Sequence, residues 1–233
     1  MKNDKEQIWL KALDVIKEVL DNNNCQYFLD TGTLLGAIRD HQFIPWDNDI
    51  DLGVVDCQET KKTILNICKQ LYNKGYNVTA SEHELDIFDR SGLLDLGVKF
   101  YDHNGNNYET SFGKICGSQL AHMLYGSLSG NIIFKNGYGS YKFKAFMSKA
   151  LRVLSLITPR LIVKKLMRLS KIESRNLSIP VHLLSHFSDF EFYGRYYKVP
   201  SNSLDYLQYR YGKDWNKPNR NYNFINDDKS IKK

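Results

Sequence analysis

The chain has no run of about 18 apolar residues, the length a helix needs to cross a bilayer, so no transmembrane helix is expected. Its opening, Met1-Lys2-Asn3-Asp4-Lys5-Glu6-Gln7, has no apolar core, and no secretory signal peptide is expected. The four cysteines, Cys25, Cys57, Cys68 and Cys116, show neither Cys-x-x-Cys spacing nor a zinc-site pattern. They are expected to be reduced thiols in a cytoplasmic protein. No recognisable RNA- or DNA-binding motif occurs. Acidic residues almost vanish from Tyr141 to Arg175, where Glu173 stands alone among ten Lys and Arg. The whole chain carries a net charge of +6, so the positive excess is local and points to one anionic partner at one place.

What is present is ample apolar material. With 42% hydrophobic and 13% aromatic residues, 233 residues suit one domain, or one domain with an appendage. Residues 5–21 carry Trp9, Leu13, Ile16 and Leu20 at helical spacing and predict an amphipathic scaffold helix. A second helix is expected over 57–74, with Ile64, Ile67, Cys68 and Leu71 inward and Gly75 as its stop. Residues 83–88 and 93–101 flank a turn ending in Gly92 and predict a β-hairpin. From Asn106 to Gly139, rich in Gly, Asn, Ser and Tyr, a mixture of strands and substrate-facing loops is expected, with no site placed in it. The basic stretch 141–175 predicts two amphipathic helices, with Pro159 opening the second. Its Leu161, Ile162, Leu166 and Leu169 make one face and Lys164, Lys165, Arg168 and Lys171 occupy others, the composition of a helix that rests on anionic lipid. An ordinary surface helix with a solvated basic face stands equally. Residues 190–199 predict a strand pair around Gly194, 201–211 a short helix stopped by Gly212, and the polar tail from Asn216 a loosely held end.

The chemistry concentrates between Tyr27 and Val55. Three aspartates stand at alternate positions, Asp47, Asp49 and Asp51. Residues two apart on a strand share a face, so Asp49 and Asp51 stand side by side with Ile50, Leu52 and Val54 behind them. Two adjacent carboxylates repel unless neutralised, and a divalent cation such as Mg²⁺ or Mn²⁺ suits their oxygens. Asp47 and Asn48 fit a solvated turn. Upstream, Gly32 permits close approach of backbone to ligand, and Thr33 opens a short helix whose exposed N–H groups form an anion site. Arg39 could add a bidentate phosphate contact, or could be a solvated surface residue. Trp46 is assigned to core packing rather than to a pocket wall.

The run Gly32-Thr33-Leu34-Leu35-Gly36-Ala37-Ile38-Arg39, followed by Phe43-Ile44-Pro45-Trp46-Asp47-Asn48-Asp49-Ile50-Asp51, resembles the signature of the LicD family, which includes the fukutin-related proteins. A second block is similar to the family's C-terminal end: Tyr197-Lys198-Val199-Pro200, then Tyr206 through Trp215, with Pro218 close behind. The resemblance implies an α+β fold, a nucleotidyltransferase-like mixed β-sheet core flanked by helices. A basic helical appendage and a C-terminal strand pair with a short helix would complete it. The expected division is a core over 1–140, a basic amphipathic helical insertion over 141–180, and a segment over 181–233 packing back on the core. It also implies Asp49 and Asp51 as metal ligands, Gly32, Thr33 and Arg39 at donor phosphates, and a third carboxylate on the hairpin, either binding metal or acting as base. Asp95 is preferred for that role and Asp86 is the alternative. The C-terminal block closes over the site in the family, so Arg210, Asp214 and Trp215 either line the site or pack structurally.

The activity implied is metal-dependent transfer of a phospho-alcohol (phosphocholine, ribitol phosphate or glycerol phosphate) from a CDP-linked donor. The acceptor would be a cell-surface or lipid-linked glycan, as in polysaccharide or lipopolysaccharide biosynthesis. Peripheral contact with the inner face of an anionic membrane would bring the enzyme to such an acceptor. The alternative is a nucleotidyltransferase acting on a small molecule or nucleic acid. Nucleic acid is disfavoured because aliphatic side chains, not stacking aromatics, interleave the basic stretch.

Overall fold

The structure is a computed structural model that describes residues 2–56, 58–81, 83–89, 91–115, 132–134, 160–170 and 172–232. Helix α1 (Lys2–Asn22) presents Trp9, Ala12, Leu13, Ile16, Val19 and Leu20 on one buried face. That face is the 3.6-residue pattern of its sequence made physical. Strand β1 (Tyr27–Leu29) is buried throughout and leads directly into α2 (Thr31–Asp40), after which a corner delivers β2 (Ile50–Val55). Helix α3 (Gln58–Asn73) buries Ile67, Cys68 and Leu71 and gives way at Gly75, whose φ of 98° is a backbone form that glycine alone adopts cheaply. Strands β3 (Asn77–Ala80), β4 (Glu84–Phe88), β5 (Asp95–Asn104), β6 (Asn107–Ile115) and β7 (Ile132–Phe134) follow. Next come α4 (Arg160–Ser170), β8 (Ile172–Pro180), α5 (Val181–Leu184), β9 (Phe187–Phe192) and β10 (Arg195–Pro200), then α6 (Ser203–Tyr211) and α7 (Phe224–Asp227).

Among the described residues the main sheet has eight strands, in the order β1-β2-β5-β4-β3-β7, with β6 attached to β5 and β8 to β6. The sheet is mixed: β2 and β5 run parallel, and β5 pairs β4 antiparallel, as do β3 and β4. This is the α+β architecture expected. The expected hairpin is β4–β5, with Gly92 at φ 73° in its connection. The C-terminal pair β9–β10 turns at Tyr193 and Gly194, both at positive φ, as a tight hairpin requires. Phe28 lies at the centre of the core, stacked on Phe187 and edge-on to Tyr206, so the C-terminal elements pack back on β1.

Two expectations are corrected. Residues 172–180, placed inside the basic helical insertion over 141–180, are strand β8, paired with β6 from Asn107↔Pro180 to Ile115↔Ile172. Leu177, Ser178 and Ile179 are buried in succession, so the segment carries no two-residue alternation that would mark a strand. Residues 160–170 do form a helix, while 141–159 lie outside the described residues. Strands β6 and β7 fall in the stretch 106–139, for which a mixture of strands and loops is expected. Second, the tail is anchored. Asp228 and Ser230 are buried, Ile231 bridges to Leu177, and the Lys229 N–H donates to the Arg210 carbonyl at 3.0 Å.

Candidate active site

Helix α2 begins earlier than expected, at Thr31, with Asp30 as its N-cap. The Asp30 carboxylate accepts from the Thr31 N–H at 2.7 Å, satisfying one of the donors every helix start leaves open. Asp30 is fully buried and also accepts from the Tyr101 hydroxyl (2.7 Å), from the Tyr206 hydroxyl, and from Arg210 Nη1 (2.7 Å). Burial pushes its pKa up, but Arg210, Lys99 and the two hydroxyls outweigh burial and hold it below the ordinary carboxylate value. Arg210 continues to Asp228, donating from Nε at 2.9 Å and Nη2 at 2.6 Å. The start of α2 is thus fixed from β5, α6 and the C-terminal tail together.

Thr31 has φ 40°, costly for a β-branched residue. Its hydroxyl donates to Asp51 Oδ2, and the Thr33 hydroxyl accepts from the Asp51 N–H at 2.9 Å. Two threonines of α2 therefore clamp the strand that carries the aspartates. A side chain at Gly36 would place its Cβ 2.6 Å from the Gln42 carbonyl, so only glycine lets the corner fold back against the helix. A Cβ at Gly32 would collide with the Asp47 carboxylate.

The parallel pairing Ile50↔Leu96 and Asp51↔Gly97 sets Asp49 beside Asp95 and leaves a glycine opposite Asp51. The antiparallel pairing Asp86↔Gly97 puts Asp86 on the same sheet face, one strand further out. Asp95 is raised by partial burial and then by the charges of Asp49 and Asp51. Asp86 is pushed up to about 7 by burial, then by Glu84 and Asp95. The field of the aspartate pair therefore reaches Asp95 more strongly than Asp86. Asp47 is pushed up to about 7 by burial, by its hydrogen bond with Asp49, and by the charges of Asp49 and Asp51. Asp49 is also raised, by burial and by Asp51. Asp51 has a cation of its own: Lys99 Nζ donates to Oδ1 at 2.5 Å, with side-chain exposures of only 13% and 18%.

Asp47, Asp49, Asp51 and Lys99 open into a cleft of about 730 Å³, whose lining does not include Asp95 or Asp86. One wall holds Thr31, Gly32, Arg39, Asp47, Asp49, Asp51 and Lys99; the other is C-terminal, with Tyr211, Asp214, Trp215, Arg220 and Tyr222. Gly32, Asp49 and Asp51 thus come together as expected. Arg39 lines the cleft but is paired bidentately with Asp40, at 2.9 and 2.6 Å. Thr33 is buried beneath the cleft floor and holds β2 rather than lining the opening. Trp46 is a rim residue, not a core one: it is 36% exposed, and Arg220 stacks 4.8 Å from its ring. Asp47 is half-buried in the cleft, not a solvated turn residue. Arg210 is structural and fully buried, while Asp214 and Trp215 line the wall.

Sequence reasoning passed over Asp30 and Lys99. An Asp just before Thr-Gly-Thr is an N-cap signal, and Lys99 shares a strand face with Asp95 through the i, i+4 alternation. Among the described residues no group of three or more His, Cys, Asp or Glu side chains gathers into a metal cage. Asp49 and Asp51 present hard oxygen donors of the type Mg²⁺ or Mn²⁺ takes, with the remaining positions left to solvent and substrate.

A helix N-terminus held against an Asp-x-Asp strand, at the edge of a large polar cleft, is an arrangement suited to phosphate chemistry. Residues 24–113 match the family model described as LicD/FKTN/FKRP, nucleotidyltransferase domain. The segment that carries the site is therefore similar to the nucleotidyltransferase domain of the LicD family. An uncharacterized protein of Rickettsia typhi is 43% identical over 98 residues, 39% of this chain and 31% of its own length. An uncharacterized protein of Rickettsia prowazekii is 39% identical over 77 residues, 30% of this chain and 29% of its own. The lipopolysaccharide cholinephosphotransferase LicD of Haemophilus influenzae is 32% identical over 104 residues, 44% of this chain and 38% of its own. The matched region thus spans about a third of the length of these relatives. The crystal structure of ANT(2")-Ia with adenylyl-2"-tobramycin aligns at a TM-score of 0.34 and 15% identity, covering 69% of this chain and 95% of that one. That likeness is too distant to bear on activity.

Proposed function

We propose that the protein is a LicD-type phosphotransferase that moves a phospho-alcohol from a CDP-linked donor to a cell-surface or lipid-linked glycan. The observation that carries this is the placement of Asp49 and Asp51 in one cleft with the first turn of α2, inside the LicD-matching segment. The relative named as a lipopolysaccharide cholinephosphotransferase supports the reaction class.

In this reading Asp49 and Asp51 hold Mg²⁺ or Mn²⁺, which when bound supplies neutralisation of phosphate charge. The cleft-lining Thr31-Gly32 turn at the start of α2 receives the donor's phosphates, favoured by the helix dipole. Asp95 takes the proton of the acceptor hydroxyl; its raised pKa makes it a better base than an ordinary carboxylate. The C-terminal wall, with Trp215, Arg220 and Trp46, encloses the nucleotide. Helix α4, with its exposed apolar and basic side chains, rests on the anionic lipid that carries the acceptor.

The test is calorimetric titration of CDP-choline, CDP-ribitol, CDP-glycerol and CTP, with and without Mg²⁺, into the wild type and Asp51→Asn. Expected is metal-dependent binding of one CDP-alcohol, lost in the variant. Binding of CTP alone would replace this reading with that of a nucleotidyltransferase making an activated precursor. Absence of any cytidine binding would overturn the donor assignment.

A further inference from the structure

Lys99 is a nearly buried ammonium in the cleft, and nothing in the reaction proposed above uses it. It sits on β5 between strands that carry acids on both sides, in register with Gly53 of β2 and Glu84 of β4. Its bond is to Oδ1 of Asp51, while Thr31 holds Oδ2. Both oxygens of this aspartate are thus engaged within the protein. Gly97, the residue opposite Asp51, has only a hydrogen to offer, and a Cβ there would lie 3.7 Å from the same Oδ1. The charge of Lys99 also acts on Asp30, Asp49, Glu84 and Asp86. Burial pulls its own pKa down, but Asp51 and Asp30 more than reverse that, so it is a full cation at neutral pH.

We propose that Lys99 is the built-in counter-cation of the Asp49–Asp51 pair and competes with the divalent ion for Asp51. The inference rests on the reading of Asp49 and Asp51 as metal ligands. A divalent ion at Oδ1 meets the charge of the Lys99 ammonium already bonded there and is repelled by it. The ion alone is therefore held weakly, and the ammonium is available to the anionic phosphate that arrives with it. The design keeps the carboxylates together without metal and makes tight metal binding conditional on the donor.

The experiment is Mn²⁺ binding in the absence of nucleotide, read from the loss of the free-ion electron paramagnetic resonance signal, for the wild type, Lys99→Met and Lys99→Arg. Lys99→Met is expected to bind Mn²⁺ on the order of tenfold more tightly, the scale on which a unit charge a few ångströms away biases a carboxylate. Lys99→Arg, which keeps the charge, is expected to stay near the wild type. A lysine with a purely structural role gives the opposite sign, since its loss would disorder Asp51 and weaken Mn²⁺. Equal or weaker binding by Lys99→Met, with the wild type binding Mn²⁺, overturns the counter-cation role and leaves the metal reading intact. No Mn²⁺ binding by any of the three overturns both.

Discussion

At the scale of single residues, the question with the sharpest answer is which carboxylate completes the site. Asp95 and Asp86 share a sheet face, but Asp95 adjoins Asp49 across the parallel pair, while Asp86 lies one strand out, among Glu84 and Asp95. We predict that Asp95→Asn loses turnover by about 10²-fold or more, the usual scale for removing a general base. Asp86→Asn should retain most of its activity. Asp86 also bears on stability. Asp86 is raised from 3.8 to about 7 in the folded state, so the folded protein binds its proton more tightly than the unfolded chain does. Stability from this group is therefore present at low pH and is lost as pH rises from near 4 to near 7. Asp86→Asn should raise the melting temperature at pH 8 by several degrees and leave it nearly unchanged at pH 4. Loss of activity in Asp86→Asn with full activity in Asp95→Asn would reverse the assignment. Asp49 and Asp51 themselves were legible because strand alternation is a two-residue rule that needs no tertiary knowledge. Lys99 was not, because its role depends on β5 pairing parallel to β2, and pairing partners are not written in either strand.

At the scale of elements, the fold turns on how the start of α2 is secured. Its N-cap Asp30, the Tyr101 of β5, the Tyr206 and Arg210 of α6 and the Asp228 that follows α7 form one buried network. Arg210 is fully buried with both carboxylates, so removing it leaves two buried carboxylates without the guanidinium that pairs them. We predict that Arg210→Met destabilises the protein by about 3–5 kcal/mol, measured by urea unfolding, because an uncompensated buried charge costs that much. A loss under 1 kcal/mol would mean the network is solvated and does not hold α2. Asp30 adds an acid limit of opposite sign to Asp86. Its pKa is lowered from 3.8, so its contribution is complete above that value and fades as pH falls toward the folded pKa. Helices α1 and α3, the hairpin β4–β5 and the pair β9–β10 could be read locally, since periodicity and positive-φ glycines mark them. Strands β6 and β8 could not, since each is defined by the other, more than 50 residues away in sequence. The anchored tail escaped for the same reason: Asp228 is an ordinary polar residue until Arg210 is placed beside it.

At the scale of the whole molecule, two features stand out, the polar cleft and the basic, apolar helix α4. The β6–β8 ribbon joins β5 at Asp102–Asn104 and runs away from it through nine paired positions to Ile115↔Ile172. At a rise of ~3.3 Å per residue that is a ribbon roughly 26 Å long. Helix α4 lies just before its outer end. On α4, Leu161 is 79% exposed, Ile162 48% and Leu169 52%, and Lys164, Lys165 and Arg168 are exposed beside them. A solvated surface helix has reason to display the three cations but not three large aliphatic side chains alongside. An interfacial helix has reason for both, because apolar side chains enter the acyl boundary while cations meet anionic headgroups. No helix among the described residues is long and apolar enough to cross a membrane, so contact of this kind would be peripheral. We predict that the protein floats with vesicles containing anionic phosphatidylglycerol at low salt, and not with neutral phosphatidylcholine vesicles. Replacing Leu161 and Leu169 together by Gln should abolish flotation while leaving nucleotide binding in the cleft unchanged, since neither residue lines it. Raising ionic strength toward 1 M, where the screening length falls to about 3 Å, should weaken flotation of the wild type. Should the wild type stay at the bottom of the gradient with anionic vesicles at low salt, the exposed face of α4 has another occupant, and a change of oligomeric state in the double variant would then identify that occupant as a second copy of the chain.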